Sequence, residues 1–290
     1  MPELPEVETV MRGLRPSLEG RVLQKVVQRR DNLRFPLPEK FAERLTGRTI
    51  ERLSRRAKYV LAYLDDGMVL FFHLGMSGRV TILPKGERPP FGTHDHIIFE
   101  TDHGDEIRYC DPRRFGMMDL VSEKDLGEHK AFKELGPEPL GNEFNGPAFF
   151  ERIKNKKTNI KATILDQRVV AGIGNIYACE ALHLSHLSPQ RLAMTLNQEE
   201  ADLLALTIRE VLNRAIEAGG SSLRDYVQAS GELGYFQHSW TVYGREGEVC
   251  RQCGVEDDGD ESDKEQKAAT VILRMQQSGR STFYCPDCQR

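Results

Sequence analysis

The sequence predicts an α+β chain: an N-terminal antiparallel β-sandwich with a flanking helix, then a helical region, then a cysteine ribbon. Three observations carry this reading. Short strand-like runs separated by turn signals fill the region from Arg21 to about Val121, the periodicity then turns helical, and two CxxC pairs close the chain. At 290 residues the chain can bury a substantial core and form more than one domain.

The flanking helix comes first. Val7, Val10, Met11, Leu14 and Leu18 recur at i, i+3, i+4 spacing up to Gly20, with Pro5 suited to a first turn. The start, MPELPEVETV, also carries possible chemistry, because an initiator methionine is usually removed when a small residue such as proline follows. A mature Pro2 would present a secondary amine, which attacks carbonyl-like carbon to give an iminium. An α-amino group titrates near ~8, so far more of it is neutral at pH 7 than of a lysine. Glu3 and Glu6 are ordinary first-turn acids on their own.

The strands follow as RVLQKVV, YVLAYL, MVLFFHL, RVTIL, HIIFE and EIRYC, spaced as in an antiparallel sandwich. Lys58 is expected to begin the strand after Arg55 and Arg56. Pro137, Pro139, Gly141 and Gly146 mark a hinge, after which AFFERIKN, ATILDQ, NIYACEALHL and the stretch from Asn197 to Ala218 read as helices. Asn197 and Glu200 occupy capping-box positions. The pattern fits a helix-turn-helix-like unit or any small helical bundle. In VVAGIGNIYACEAL, Gly172 and Gly174 permit a tight turn and Asn175 is expected at a helix N-cap, where its amide and the backbone N–H groups suit a phosphate oxygen. The expected domains are residues 1–135, 136–235 and 236–290.

In the last of these, CRQC and CPDC are separated by 31 residues, more than the usual ~15 to 20. Two close-set thiolate pairs point to one tetrahedral Zn2+, structural because four cysteines close the site. Cys110 and Cys179 are expected to be buried, inert thiols. The excess spacing is an acidic insert, 254–267, with seven acids and two lysines. Its net −5 accounts for the whole-chain −4 and leaves the remainder near +1, so the charge balance does not exclude a nucleic-acid partner. No apolar run approaches the ~18 to 20 residues of a membrane span and no signal-peptide pattern opens the chain, so a cytoplasmic protein without a membrane partner is expected.

MPELPEVETVMRGL resembles the N-terminus of the formamidopyrimidine-DNA glycosylases, bacterial repair enzymes that excise oxidised purines. GIGNIY is similar to the phosphate-gripping hairpin of that family's helix-two-turn-helix motif, and SGRSTFYCPDCQR to its terminal signature. The resemblance implies a helix-two-turn-helix domain with a zinc ribbon. It also implies a bifunctional glycosylase and AP lyase of base excision repair, monomeric, acting on double-stranded DNA with oxidised purines or abasic sites. Pro2 would be the nucleophile, Glu3 the general acid and Glu6 its support, with Lys58 assisting catalysis. Lys58, His73, Asn175 and Arg280 would clamp the backbone beside the lesion. Met76, Arg113 and Phe115 match the side chains that fill the hole left by an everted base. Ser221, Ser222, Arg224 and Tyr226 are contact candidates in a loop over that base. The rivals are an endonuclease VIII-type enzyme for oxidised pyrimidines, which Leu4 and the complete filling set disfavour, and a damage-binding protein that does not cut.

Overall fold

The structure, a computed structural model, describes residues 1–86, 88–221, 234–254 and 269–290. The chain divides into two compact units, one formed by 1–135 with 214–237 and the other by 136–213 with 238–290.

The first unit opens on helix α1 (Leu4–Leu18), whose buried face is the one its periodicity predicts. Eight antiparallel strands follow: β1 (Arg21–Gln28), β2 (Thr49–Arg56), β3 (Tyr59–Leu64), β4 (Met68–His73), β5 (Arg79–Leu83), β6 (Asp95–Thr101), β7 (Glu106–Cys110) and β8 (Met117–Ser122). Their order is β5-β7-β6-β1-β2-β3-β4-β8. Strand β1 belongs to both halves: Arg21 and Val22 pair with β2, and from Leu23 on it pairs with β6, across a register shift between Leu23 and Lys25. An extra residue bends a strand at such a point, which lets one sheet turn into two facing layers. Val60, Leu70 and Phe72 of one layer meet Ile97, Phe99, Ile107 and Tyr109 of the other, and Val10, Met11 and Leu14 of α1 join the same core.

Two strands and a short helix, α2 (Phe41–Leu45), were not legible in the sequence. In β2 the register shifts between Ile50 and Arg52, which breaks the alternation, and its arginines have partners remote in sequence, the exposed Arg52 included. Arg52 lies 3.2 Å over the Tyr63 ring and Arg55 pairs with Glu8 at 2.9 Å. Lys58 does not begin a strand. It sits in the two-residue turn between β2 and β3, after Ala57 at φ 52°.

The second unit contains α3 (Gly146–Ile153), α4 (Ile160–Leu165) and α5 (Asn175–Leu184), and its boundary falls within α6 (Gln198–Glu217). Asn145 and Asn159 cap α3 and α4, each accepting the N–H three residues on, and Asn197 with Glu200 forms the predicted capping box. Asn175 is not an N-cap: Gly174 takes that place in extended conformation, and Asn175 is the first helical residue. Strands β9 (Leu273–Gln277) and β10 (Arg280–Tyr284) form the ribbon, joined by Ser278 and Gly279, both at positive φ as a two-residue hairpin requires. Cys110 and Cys179 are buried. No helix among the described residues is long and apolar enough to cross a membrane.

Asn159→Ala removes the α4 cap and should lower stability by about 1 kcal/mol in urea denaturation, whereas Asn159→Asp should be close to neutral.

Candidate functional site

The N-terminus is held by a carboxylate. Glu3 is the N-cap of α1 and Glu6 its third residue, and the two form a reciprocal capping box. One oxygen of Glu6 accepts the Glu3 N–H at 2.8 Å and the other accepts the Ser221 N–H at 2.8 Å. Gly220 makes this approach possible: its φ is +80°, and a Cβ there would lie 3.2 Å from the Glu6 side chain. Glu6 is 2% exposed and Glu3 4%, and Pro2 is buried beside them. Ser221 contributes its backbone here and bridges Tyr235. Ser222, Arg224 and Tyr226 lie outside the described residues.

Lys58 is 6% exposed, far from the solubilising strand end that its sequence context suggests. Pairing of Tyr59 with His73 brings β4's last residue next to it. His73 Nδ1 accepts the Gly75 N–H at 2.9 Å, so the ring proton of the neutral imidazole resides on Nε2. Burial, reinforced by the Lys58 and Arg34 charges, lowers its pKa to about 4. His73 is therefore an uncharged donor throughout the physiological range. Arg34 escaped the sequence reading, although it stands before an aromatic residue, Phe35, over whose ring its guanidinium lies at 5.4 Å. Its backbone N–H donates to the Gly116 carbonyl.

Met76 and Phe115 would ordinarily be core residues, yet they are 40% and 44% exposed. Arg113 is exposed too, with its guanidinium 4.8 Å from the Phe115 ring centre. All three stand on the short loops 74–78 and 111–116, which the structure brings together.

In the second unit, Asn175 donates one amide proton to the Ser281 carbonyl at 2.9 Å. Lys161 Nζ donates to the same oxygen at 3.1 Å and to Thr282 Oγ1 at 2.6 Å. Both anchor β10 immediately after Arg280, which is exposed at the ribbon tip. Asn175 and Arg280 thus share a mechanical support that sequence spacing could not reveal. Lys161 was missed because a buried lysine looks like any helix lysine.

The sulfurs of Cys250, Cys253, Cys285 and Cys288 all lie within 4.8 Å of one another, with Cys250 to Cys288 at 3.8 Å and Cys253 to Cys285 at 3.5 Å. Metal–sulfur bonds of ~2.3 Å in tetrahedral geometry need sulfurs about 3.8 Å apart, so the donor set fits one metal ion. Burial pushes the Cys285 thiol up to about 11, a cost that a bound cation reverses by stabilising the thiolate. Glu180 ties the cluster's approach to α5 by accepting the N–H groups of Thr241, Val242 and Tyr243 and the Thr241 hydroxyl.

A helix-flanked two-layer sandwich with a pinned N-terminus, and a helical unit carrying a four-cysteine ribbon, define the class. Residues 1–118 match the model of the formamidopyrimidine-DNA glycosylase N-terminal domain, and residues 135–227 that of the formamidopyrimidine-DNA glycosylase H2TH domain. The formamidopyrimidine-DNA glycosylase of Ruegeria pomeroyi is 51% identical over 296 residues, covering all of both chains. The crystal structure of the MutM (Fpg) protein of Thermus thermophilus superposes with a TM-score of 0.84 at 40% identity, over 99% of this chain and 98% of that one. A Lactococcus lactis Fpg mutant in complex with a Fapy-dG containing DNA does so with a TM-score of 0.86 at 33% identity, over 100% of both. The chain belongs to the formamidopyrimidine-DNA glycosylase family.

Below pH 6.5 the unfolded chain protonates His73, while the folded protein resists until about pH 4, so stability falls with pH across that window. Equilibrium unfolding from pH 7 to 4 should show a shallower fall in His73→Gln than in the wild type.

Proposed function

We propose that this protein is a bifunctional DNA glycosylase and AP lyase of base excision repair that excises 8-oxoguanine and formamidopyrimidines from duplex DNA, as a cytoplasmic monomer. The observation that carries this reading is the buried clamp of Glu6 on the segment behind Pro2, in a chain whose family includes a protein solved on Fapy-dG DNA.

Once Met1 is removed, the neutral Pro2 nitrogen attacks C1′ of an everted nucleotide, forming the N–C1′ bond as the glycosidic bond breaks; the proton that the alkylated nitrogen sheds is taken up by the departing base, which restores the nitrogen lone pair. Glu3 gives its proton to the ring oxygen O4′, the C1′–O4′ bond opens, and the nitrogen lone pair completes the iminium. The iminium acidifies the C2′ proton. Its loss expels the 3′ phosphate, and a second elimination expels the 5′ phosphate. Glu6 keeps the terminus in register. Lys58, His73, Asn175 and Arg280 hold backbone phosphates, His73 as a neutral donor through Nε2 and Arg280 as a guanidinium fork. Met76, Arg113 and Phe115 occupy the vacated stack, and Ser221, Ser222, Arg224 and Tyr226 are candidates for contact with the everted base. The four cysteines would hold a Zn2+ whose role is structural, since no coordination position stays open for chemistry.

Duplexes containing 8-oxoguanine, formamidopyrimidine or thymine glycol, incubated with the protein and borohydride, test the reading. Trapped adduct and strand scission are expected with the purine lesions. Adduct with thymine glycol alone would favour a pyrimidine-specific enzyme, and binding without adduct a non-cutting one. Glu3→Gln should lower excision by about 10²- to 10⁴-fold. Arg280→Ala should weaken binding across sequences and reduce the salt slope by about 1.

Zinc should be found at one atom per chain by elemental analysis, and its removal by a chelator should abolish DNA binding while leaving the β-sheet circular dichroism in place.

A further inference from the structure

The loops that carry Met76, Arg113 and Phe115 converge on a single buried group. Loop 74–78 joins β4 to β5 and loop 111–116 joins β7 to β8. Asp111 is fully buried between them. Its Oδ1 accepts the Ser77 hydroxyl at 2.7 Å, and Ser77 Oγ in turn accepts the Arg113 N–H at 3.1 Å. Its Oδ2 accepts the Gly116 N–H at 2.8 Å. The Asp111 backbone is held as well, its N–H donating to the His94 carbonyl and its carbonyl accepting the Arg114 N–H and facing His96 Nε2 at 2.9 Å. The carboxylate therefore ties the residue after Met76, the backbone of Arg113 and the residue after Phe115 to one point.

The glycines show how close the loops come. A Cβ on Gly75, at φ +63°, would run into the Gly116 nitrogen and the Phe115 carbonyl, and one on Gly116 would strike the Tyr109 hydroxyl. Two loops in contact, bridged by a carboxylate that accepts from a side-chain hydroxyl of one and a backbone N–H of the other, cannot move independently. The three exposed tips then form one rigid body.

We infer that Asp111 is the positioning residue that makes Met76, Arg113 and Phe115 act as a single preformed wedge when a base leaves the stack. This rests on the reading of those three side chains as the filling set. A wedge repays the cost of unstacking only if its own ordering does not have to be supplied at the moment of insertion. Asp111→Asn keeps the side-chain shape but removes the charge and makes one end a donor: an amide nitrogen facing Gly116 leaves that N–H without an acceptor, and one facing Ser77 makes the hydroxyl turn from donor to acceptor, so the charge-assisted bonds are lost either way. The loops then loosen while the groups at the N-terminus are untouched.

The experiment compares excision of paired 8-oxoguanine with strand cutting at a preformed abasic site, which has no base to evict, in Asp111→Asn, Ser77→Ala, Phe115→Ala and wild type. The ratio of excision to abasic cutting should fall about 10-fold in Asp111→Asn, the effect expected for one hydrogen bond to a charged group. Ser77→Ala should shift it the same way by a smaller factor, and decides the matter if Asp111→Asn does not fold. 2-Aminopurine placed next to the lesion should report reduced unstacking in both. An equal loss of both activities would mean general destabilisation and overturn the inference. A fall in Phe115→Ala with none in Asp111→Asn and Ser77→Ala would overturn the role of Asp111 alone, and no fall in any variant would overturn the wedge reading and this inference with it.

Discussion

A chain end is ordinarily the least ordered part of a protein, and here it is fixed by one buried carboxylate. Glu6 accepts from the Glu3 N–H at the start of α1 and from the Ser221 N–H at the base of a distant segment. A buried anion without donors would be costly, so the two bonds require each other. The proposed reaction at the Pro2 nitrogen needs a terminus held closely in place, and a helix cap that is also a tertiary contact offers such a hold. The sandwich core that packs α1 serves the same end.

Electrostatic roles divide along the chain. In the first unit, burial keeps His73 neutral next to Lys58, which avoids placing two cations in one buried pocket. In the second, Asn175 and Lys161 secure the strand behind Arg280, so that exposed cation at the ribbon tip has a stiff mounting. A charged side chain on a stiff mount loses less entropy on gripping a phosphate than one on a free loop. The whole-chain charge says little of this, since the acidic insert dominates it.

Much of the fold was legible because its elements obey their own periods. The α1 stripe and six of the eight first-unit strands could be read directly, as could NIYACEALHL, which matches α5 end to end. Strand β2 was hidden by a bulge that resets the alternation and by arginines whose partners are remote in sequence. The candidate site rests on resemblance more than on pattern: Met76 and Phe115 look like core residues in one dimension, and the structure exposes both. Asp111, Ser77, Arg34 and Lys161 gave no signal, because each acts through partners brought near by topology alone. The Asn175 displacement by one residue reflects Gly174 taking the extended cap conformation ahead of it.

The covalent role of the terminus is decided by peptide mapping of the borohydride-reduced enzyme–DNA adduct. Proteolysis followed by tandem mass spectrometry should locate the deoxyribose remnant on the Pro2 nitrogen of a chain lacking Met1. A remnant on a lysine, or an active protein whose leading methionine is intact, would contradict the mechanism.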